Sequence, residues 1–255
     1  MGILIGDRFY TGQEKFPFHC DQHSRISIVV SGVVRELAYQ HTSFGKAMSI
    51  VVKPNDAKHS NEFHPKGARI ISIEWDANNM PDFLNIAHLE NYKWYHDTSR
   101  AAAATQLLQE LHQSNNAIEL QSNIINFIAN LDTIYHNSHH KNPPQWLQHI
   151  AERLEDECAK QLFVQDLAKE VGVHPVYLAR IFRRFYACSI KDFLQKSRVR
   201  QAIHHLASTE EALAHIAFDA GFSDQSHLNR LFKKEMSISP GQFRKLTQKV
   251  SFVQD

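Results

Sequence analysis

The C-terminal half contains one pattern twice, as LAKEVGV at residues 167–173 and as IAFDAGF at residues 216–222. Each copy has an apolar residue, an alanine, two variable positions, a small or apolar residue, a glycine and an apolar residue. The glycine is suited to the left-handed conformation that ends a helix, and the small alanine allows a second helix to pack closely. The pattern therefore predicts a short helix, a turn and a second helix in each copy.

A second helical segment follows each copy, at residues 176–184 and 225–234. In both segments apolar residues lie on one side of the helix, and polar and basic residues lie on the other. One copy alone could equally be an ordinary helical hairpin with a solvated charged side. Two copies in one basic region favour a pair of helix-turn-helix units.

Residues 189–206 read as one helix between the two units. Eighteen helical residues span about 27 Å, which is comparable with the roughly 34 Å between major grooves one turn apart on DNA. The basic side of this helix carries Lys191, Lys196, Arg198 and Arg200. A solvated surface explains the first three about as well as DNA contact does. The spacing predicts that one chain places two recognition helices in successive major grooves.

The chain of 255 residues has a formal net charge of only +1, but the charges are unevenly distributed. Residues 169–249 carry +7, residues 1–168 carry −5, and Asp255 adds −1. A hydrophobic fraction of 43% excludes a disordered chain, and no apolar run is long enough to span a membrane. The basic segment indicates double-stranded DNA as a partner.

The N-terminal region has strand signals at residues 26–30, 48–52 and 70–75, and these predict an antiparallel sandwich or barrel. Helical periodicity begins near residue 81. We therefore expect an α+β chain in four segments: a barrel at 1–80, a helical packing or dimerisation segment at 81–138, a linker at 139–145, and an all-α domain with two helix-turn-helix units at 146–255. The apolar stripes Leu107/Leu111 and Ile124/Ile128/Leu131 would serve either a homodimer or packing on the barrel.

The C-terminal segment resembles the DNA-binding domain of the AraC/XylS family of bacterial transcription regulators. The resemblance rests on IAFDAGFSDQSHLNRLFKK at 216–234, SPGQFR at 239–244 and RVRQAIHHL at 198–206. The family usually has glycine just after each recognition helix, where this chain has Ala187 and Ser237. Both changes fall at helix ends and not on the side that faces DNA.

This resemblance implies which residues contact DNA. Base-edge contacts are expected from Val176, Ala179 and Arg180 in the first unit, and from Gln225, Ser226, His227 and Arg230 in the second. Phosphate contacts are expected from Arg183, Arg184, Lys233 and Lys234. Arginine suits guanine, glutamine suits adenine, and phosphate contacts position the protein without specifying sequence.

The N-terminal region, at residues 16–32 and 51–59, is similar to the small cupin barrels that bind effectors in this family. Pro54-x-Asp56-x-x-His59 stands near a cupin pattern that has glycine in place of Asp56. His19, Asp21 and His59 could meet as a facial triad for Fe(II), or could bind Zn(II) with His23 or His64 nearby. The alternative is that these polar side chains line an effector pocket without a metal.

The sequence thus predicts a transcription regulator without enzymatic activity that senses a small effector in the cytoplasm and contacts RNA polymerase if it is an activator. The competing hypothesis is a cupin metalloprotein, either an oxygenase or isomerase or a metal sensor, with an attached DNA-binding module. Cys20, Cys158 and Cys188 match neither a disulfide framework nor a zinc pattern, and we expect reduced thiols. The N-terminus does not resemble a secretory signal.

Overall fold

A computed structural model describes residues 3–75, 89–113, 116–133 and 143–248. The strands are β1 (Ile3–Tyr10), β2 (Lys15–His19), β3 (Ser24–Ala38), β4 (His41–Gly45), β5 (Ile50–Lys53), β6 (His59–Trp75) and β7 (Lys93–Tyr95). The helices are α1 (Thr98–Gln113), α2 (Ala117–Thr133), α3 (Gln145–Asp156), α4 (Val164–Glu170), α5 (Pro175–Tyr186), α6 (Ile190–Ser208), α7 (Leu213–Asp219), α8 (Gln225–Met236) and α9 (Pro240–Gln248). The predicted α+β class is confirmed.

The seven strands form one antiparallel sheet, in the order β1-β6-β3-β5-β7, with β2 paired to β6 and β4 to β3. The long strands β3 and β6 pair along most of their length and form the centre of the sheet. Their buried residues, such as Ile26, Ile28, Ile71 and Ile73, form the apolar core. All three predicted strands lie within this sheet.

Two glycines bend the central strands at the same level. Gly32 in β3 and Gly67 in β6 both have a φ of 78°, a left-handed conformation that glycine adopts readily. A Cβ on Gly32 would lie 2.1 Å from the carbonyl oxygen of Gly67, so a side chain there would collide with the neighbouring backbone. The register shifts between β3 and β6 on either side of Gly32, and the sheet has two halves on either side of the bend.

Helices α1 and α2 follow the sheet and pack on each other. The stripe residues Leu107, Leu111, Ile124, Ile128 and Leu131 are all buried within the chain. Intrachain packing therefore accounts for both stripes, and a dimer would need a different surface.

Helix α3 begins the C-terminal helical region with apolar residues at helical spacing, namely Leu147, Ile150, Ala151 and Leu154. These side chains pack with buried residues of α4 and α5 in one core. The first helix-turn-helix unit is thus supported by a third helix that precedes it.

The chain divides into two compact units. One comprises Met1–Ile134, Leu206–Thr209 and Gly241–Asp255, and the other comprises Tyr135–His205 and Glu210–Pro240. The domain boundaries that we predicted at residues 80 and 138, and the linker from 139 to 142, lie outside the described residues. Strand β7 extends the sheet to Tyr95, beyond the predicted end of the barrel, because it pairs with β5.

Among the described helices, none combines the length and the apolar character that crossing a membrane requires.

Candidate nucleic-acid interface and effector cavity

A cavity of about 490 Å³ lies within the N-terminal sheet. Apolar and aromatic side chains line it from both halves of the sheet, including Val29 and Trp94 from one half and Phe16 and Phe63 from the other. The two halves therefore face each other across the cavity. Its volume is in the range that holds small organic ligands.

A buried polar network forms part of the cavity wall around Glu36. Lys53 and Asn61 both donate hydrogen bonds to Oε2 of Glu36, and the Tyr92 hydroxyl donates to Oε1 at 2.8 Å. Trp94 in turn donates its indole N–H to the Tyr92 oxygen at 2.7 Å. The network fixes the carboxylate from both of its oxygens.

The charges of this network stabilise each other. Burial lowers the pKa of Lys53, although the neighbouring Glu36 opposes the change. Burial alone would raise the pKa of Glu36, but the adjacent Lys53 ammonium holds it below the ordinary value. Burial and the Glu36 charge together raise the pKa of Tyr92. Lys53 and Glu36 thus each favour the charged form of the other, and the phenol of Tyr92 stays neutral near pH 7.

His19, Asp21 and His59 come together, as the sequence predicted, and the first two line the cavity. The Nε2 atom of His19 lies 3.9 Å from Oδ1 of Asp21, and Nε2 of His59 lies 3.7 Å from Oδ2. Neither His23 nor the exposed His64 belongs to this group. The cluster thus contains three of the five residues that we considered for metal or effector binding.

The donor set of this cluster fits a divalent metal ion. The Nδ1 atoms of His19 and His59 lie 2.7 and 2.8 Å from the carbonyl oxygens of Pro17 and Ala57. Because a carbonyl only accepts, each Nδ1 carries the proton and each Nε2 lone pair is directed towards Asp21, an arrangement typical of metal-binding histidines. His59 Nε2 is buried and has no hydrogen-bond partner among the described residues. Arg25, whose Nε lies 2.9 Å from Asp21 Oδ2, would compete with a metal for this carboxylate.

Both repeated segments in the C-terminal region end their first helix with the same turn. After α4, Gly172 has a φ of 68° and the backbone N–H of Val173 donates to the carbonyl of Ala168 at 2.9 Å. After α7, Gly221 has a φ of 80° and Phe222 donates to Ala217 at 2.8 Å. These are Schellman turns, and they confirm the predicted role of the glycines.

Each turn directs a second helix across the first. The repeat alanines Ala168 and Ala217 are fully buried, which agrees with their expected role in close helix packing. Leu178 and Phe182 of α5, and Leu228 and Phe232 of α8, are also fully buried. The opposite sides of α5 and α8 are consequently left at the surface.

The side chains that we expected to contact DNA lie on these surfaces. All of them except His227 are exposed: Val176, Ala179, Arg180, Arg183 and Arg184 on α5, and Gln225, Ser226, Arg230, Lys233 and Lys234 on α8. Val176 is 70% exposed, so its methyl groups are available for contact with a thymine methyl group. The guanidinium of Arg180 lies over the Tyr177 ring, 5.5 Å from its centre.

Helix α8 begins with a well-formed cap. Oδ1 of Asp224 accepts a hydrogen bond from the backbone N–H of His227 at 2.8 Å. The His227 ring packs edge-on against Phe222, and its Nδ1 lies 3.0 Å from the Ser223 hydroxyl. His227 therefore has a structural role at the start of the helix, and it offers DNA less of its side chain than its neighbours do.

Comparison with known proteins matches residues 167–246 to a family model described as a helix-turn-helix domain. The chain is 25% identical over 246 residues to the transcriptional activator RhaS of Mannheimia succiniciproducens, covering 91% of this chain and 90% of that protein. It is 31% identical over 104 residues to the melibiose operon regulatory protein of Escherichia coli K12, covering 41% of this chain and 33% of that protein. Among solved structures, the C-terminal domain of AraT, a response regulator from Geobacillus stearothermophilus, is 28% identical with a TM-score of 0.40, covering 45% of this chain and 95% of that one.

The chain carries an AraC-type helix-turn-helix domain. It is a DNA-binding transcription regulator, as the sequence predicted. The comparisons give no support to the alternative of a cupin enzyme.

The AraC-type domain uses part of its basic surface for its own structure. Arg198 donates from Nε to the carbonyl of Cys158 at 2.7 Å, and Arg200 pairs with Glu155 at 2.7 Å. Lys191 of α6, a weaker candidate for DNA contact, is exposed. The arginines of α6 thus support the fold, whereas those of α5 remain at the surface.

Sequence reasoning missed the Glu36–Lys53 pair in the cavity. Both residues lie in apolar strands. The sequence signal that could have identified them is a charged residue within a run that otherwise predicts a buried strand, as in IVVK at 50–53. Glu36 pairs with Asn61 across β3 and β6. Only the sheet register brings the lysine to the same place.

Proposed function

We propose that the protein is an effector-responsive regulator that reads promoter DNA with α5 and α8. The observation that supports this most directly is the pair of exposed basic helices, each placed by the same Schellman turn. Effector binding in the cavity would shift the equilibrium between two states that differ in DNA affinity. The protein would act in the cytoplasm, and we assign it no catalytic activity.

The two recognition helices have separate tasks along their length. Their N-terminal residues would contact base edges: Val176, Ala179, Arg180, Gln225, Ser226 and Arg230, with His227 as a minor contributor. The basic residues nearer the C-terminal ends, Arg183, Arg184, Lys233 and Lys234, would hold phosphates. Both helices belong to one chain, so a monomer would read two successive grooves and a homodimer would read four.

A small, neutral and polar molecule is the effector that best fits the cavity. Aromatic side chains can stack on the apolar face of a sugar or similar polyol, while Glu36, Asn61 and Lys53 can bond its hydroxyls. Three of the four carboxylates that line the cavity are paired with cations, since Glu36 pairs with Lys53, Asp21 with Arg25 and Asp7 with Arg69. The wall therefore offers a charged ligand little surplus of opposite charge.

The His19–Asp21–His59 cluster supports a second candidate, in which a divalent metal is bound at the cavity and forms part of the sensor. The observation that favours it is the convergence of two imidazole lone pairs on a buried carboxylate. Metal analysis of protein purified without chelators tests it. One metal ion per chain that is lost in His19→Ala would support this sensor, and metal-free protein that still responds to a polyol would exclude it.

The DNA assignment is tested with Arg230→Ala. A bidentate contact between arginine and guanine contributes about 1–3 kcal/mol of discrimination, so the variant should lose affinity for its operator and little for random DNA. Binding sites are first mapped across the genome, and affinities are then measured by fluorescence anisotropy at fixed salt. Arg200→Ala is the matched control, because Arg200 pairs with Glu155. Equal losses on operator and random DNA for Arg230→Ala would contradict the assignment.

The effector assignment is tested by calorimetric titration with a panel of neutral mono- and disaccharides. The panel includes melibiose, the sugar in the name of one relative. Trp94→Ala, which removes an aromatic wall of the cavity, should weaken binding at least tenfold while operator affinity without sugar stays unchanged. A sugar that binds equally well to Trp94→Ala would place the effector elsewhere.

The dimer and the contact with RNA polymerase complete the proposal for an activator. Light scattering at micromolar concentration distinguishes a homodimer from a monomer. Transcription in a purified system, with and without the protein, shows whether it recruits the polymerase. A monomer that activates fully would remove the dimer from the proposal.

A further inference from the structure

A cluster of histidine and carboxylate side chains lies where the connecting helix α6 meets the second helix-turn-helix unit. His205 is near the end of α6, Glu211 is in the loop that follows, and Asp219 is the last residue of α7. One nitrogen or oxygen atom from each of the three lies within 4.8 Å of the others. The cluster is separate from the effector cavity and from the exposed recognition residues of α8. His205 and Asp219 fall within the sequence motifs at 198–206 and 216–234, but neither was a candidate site residue.

One distance in the cluster is close to the separation that a bound metal imposes on its ligand atoms. His205 Nδ1 lies 3.4 Å from Glu211 Oε2. A tetrahedral zinc ion with bonds of about 2.0–2.1 Å separates its ligand atoms by about 3.4 Å. His215 lies one helical turn before Asp219, and its Nε2 is 3.7 Å from Asp219 Oδ2. Two imidazoles and two carboxylates are therefore available within small side-chain movements.

The surroundings of the cluster allow an ion to enter and then shield part of its coordination sphere. The side chains of His205, Glu211 and Asp219 are 24%, 36% and 33% exposed. The Oε2 atom of Glu211 is itself buried, on the inner side of the cluster. Nitrogen and carboxylate oxygen together suit Zn²⁺ better than Mg²⁺ or Ca²⁺, which prefer oxygen ligands alone.

We propose that His205, Glu211 and Asp219 bind a zinc-like divalent ion, with His215 as the fourth ligand. The ion would join the end of α6, the α6–α7 loop and α7. Helix α7 has only seven residues, so it depends on tertiary contacts for its stability. Because α7 supports α8, the ion would stabilise the position of the second recognition helix. This site is independent of the proposed effector.

The test measures the affinity and stoichiometry of zinc binding to the 255-residue chain. The chain is first treated with chelator, and binding is then measured by calorimetry without DNA. A His19→Ala background removes the other cluster, so that the remaining zinc belongs to this one. We expect one ion per chain in that background, and at least tenfold weaker binding when His205→Ala or Asp219→Asn is added. His149→Ala is the matched control, since His149 is an exposed histidine of the same unit that pairs with Glu170 at 2.8 Å.

Thermal unfolding provides a second readout. Zinc should raise the unfolding temperature of the His19→Ala protein and of the His149→Ala control, and it should not raise that of His205→Ala or Glu211→Gln. Circular dichroism in chelator confirms that these variants fold without metal. Zinc binding that is unchanged in His205→Ala and Asp219→Asn would overturn the proposal, as would the absence of zinc binding in the His19→Ala background.

Discussion

The two repeat glycines have the same role but different surroundings. Gly172 and Gly221 both take the left-handed conformation after a short helix. Apart from its chain neighbours, no described residue has an atom within 4 Å of the place where a Cβ on Gly172 would be, whereas a Cβ on Gly221 would lie 2.6 Å from the Cα of Ala159. Only the second position combines an unfavourable φ with a steric collision.

We therefore expect Gly221→Ala to be more destabilising than Gly172→Ala. The conformational cost alone is about 1–2 kcal/mol for a residue with a side chain, and this applies to both variants. The collision with the Ala159 backbone should add about 1–3 kcal/mol to the Gly221 variant. Urea unfolding followed by circular dichroism measures both losses, and equal values would contradict the packing seen around Gly221.

The residues that follow the two recognition helices also take the left-handed conformation, although neither is glycine. Ala187 follows α5 with a φ of 55°, and Ser237 follows α8 with a φ of 62°. The sequence located these departures from the family at the helix ends, and the structure agrees. Replacing Ala187 by glycine should raise the free energy of unfolding by about 0.5–1 kcal/mol, since relief of strain exceeds the added chain entropy. Urea unfolding measures the gain, and a loss of stability would show that Ala187 is unstrained.

At the scale of elements, the strands that could be predicted are those that bury β-branched runs. Residues 26–30 and 70–75 were identified because they are rich in β-branched residues, which β3 and β6 bury at the centre of the sheet. Strand β2 was missed because its sequence, KFPFH, is short and contains Pro17. Strand β7 has only three residues and exists because β5 offers a pairing edge, which is a tertiary effect that local sequence does not carry.

The helices of the DNA-binding region were predicted better because their signals are local. Periodicity and caps lie within a few residues of each other, as in α6, where Ser189 and Asp192 cap the helix reciprocally. The recognition surface could be predicted from the same periodicity. The cavity network could not be predicted from the sequence, because Glu36, Lys53 and Asn61 come from three strands and meet only in the folded sheet.

The cap of α8 predicts a pH dependence. The pKa of Asp224 is lowered, first by the hydrogen bond from the His227 backbone N–H and then by that from Ser223. A lowered pKa in the folded state contributes stability above the unfolded value of about 3.9, and this contribution is lost as the pH falls through the folded value. Asp224→Ala should therefore lower the unfolding temperature at pH 7, and the difference from wild type should shrink at pH 3.

Asp166→Ala is the control for this prediction, because Asp166 is exposed in the first turn of α4 and caps no helix through its side chain among the described hydrogen bonds. A difference between wild type and Asp224→Ala that stays constant from pH 7 to pH 3 would show that the carboxylate charge does not contribute to the cap.

At the scale of the whole molecule, the distribution of charge determines how the protein approaches DNA. The +7 of residues 169–249 is nearly offset by the −5 of residues 1–168. Beyond a Debye length of about 8 Å at physiological salt, the two contributions are screened, so the DNA responds mainly to the local basic surface of α5 and α8. Long-range electrostatic attraction to random DNA should consequently be modest, and the base contacts should select the binding site.

The salt dependence of binding measures this local surface. Each neutralised phosphate contributes about 0.9 to the slope of log affinity against log salt, so Lys234→Ala should reduce the slope by about one and weaken binding to all sequences alike. Lys66→Ala removes an equal charge from an exposed position in the N-terminal sheet, and it should leave the slope unchanged. Only a residue that contacts a phosphate releases a counterion from the DNA when the protein binds, so the two variants should differ. Equal reductions of the slope would show that net charge, and not the surface of α8, controls the approach to DNA.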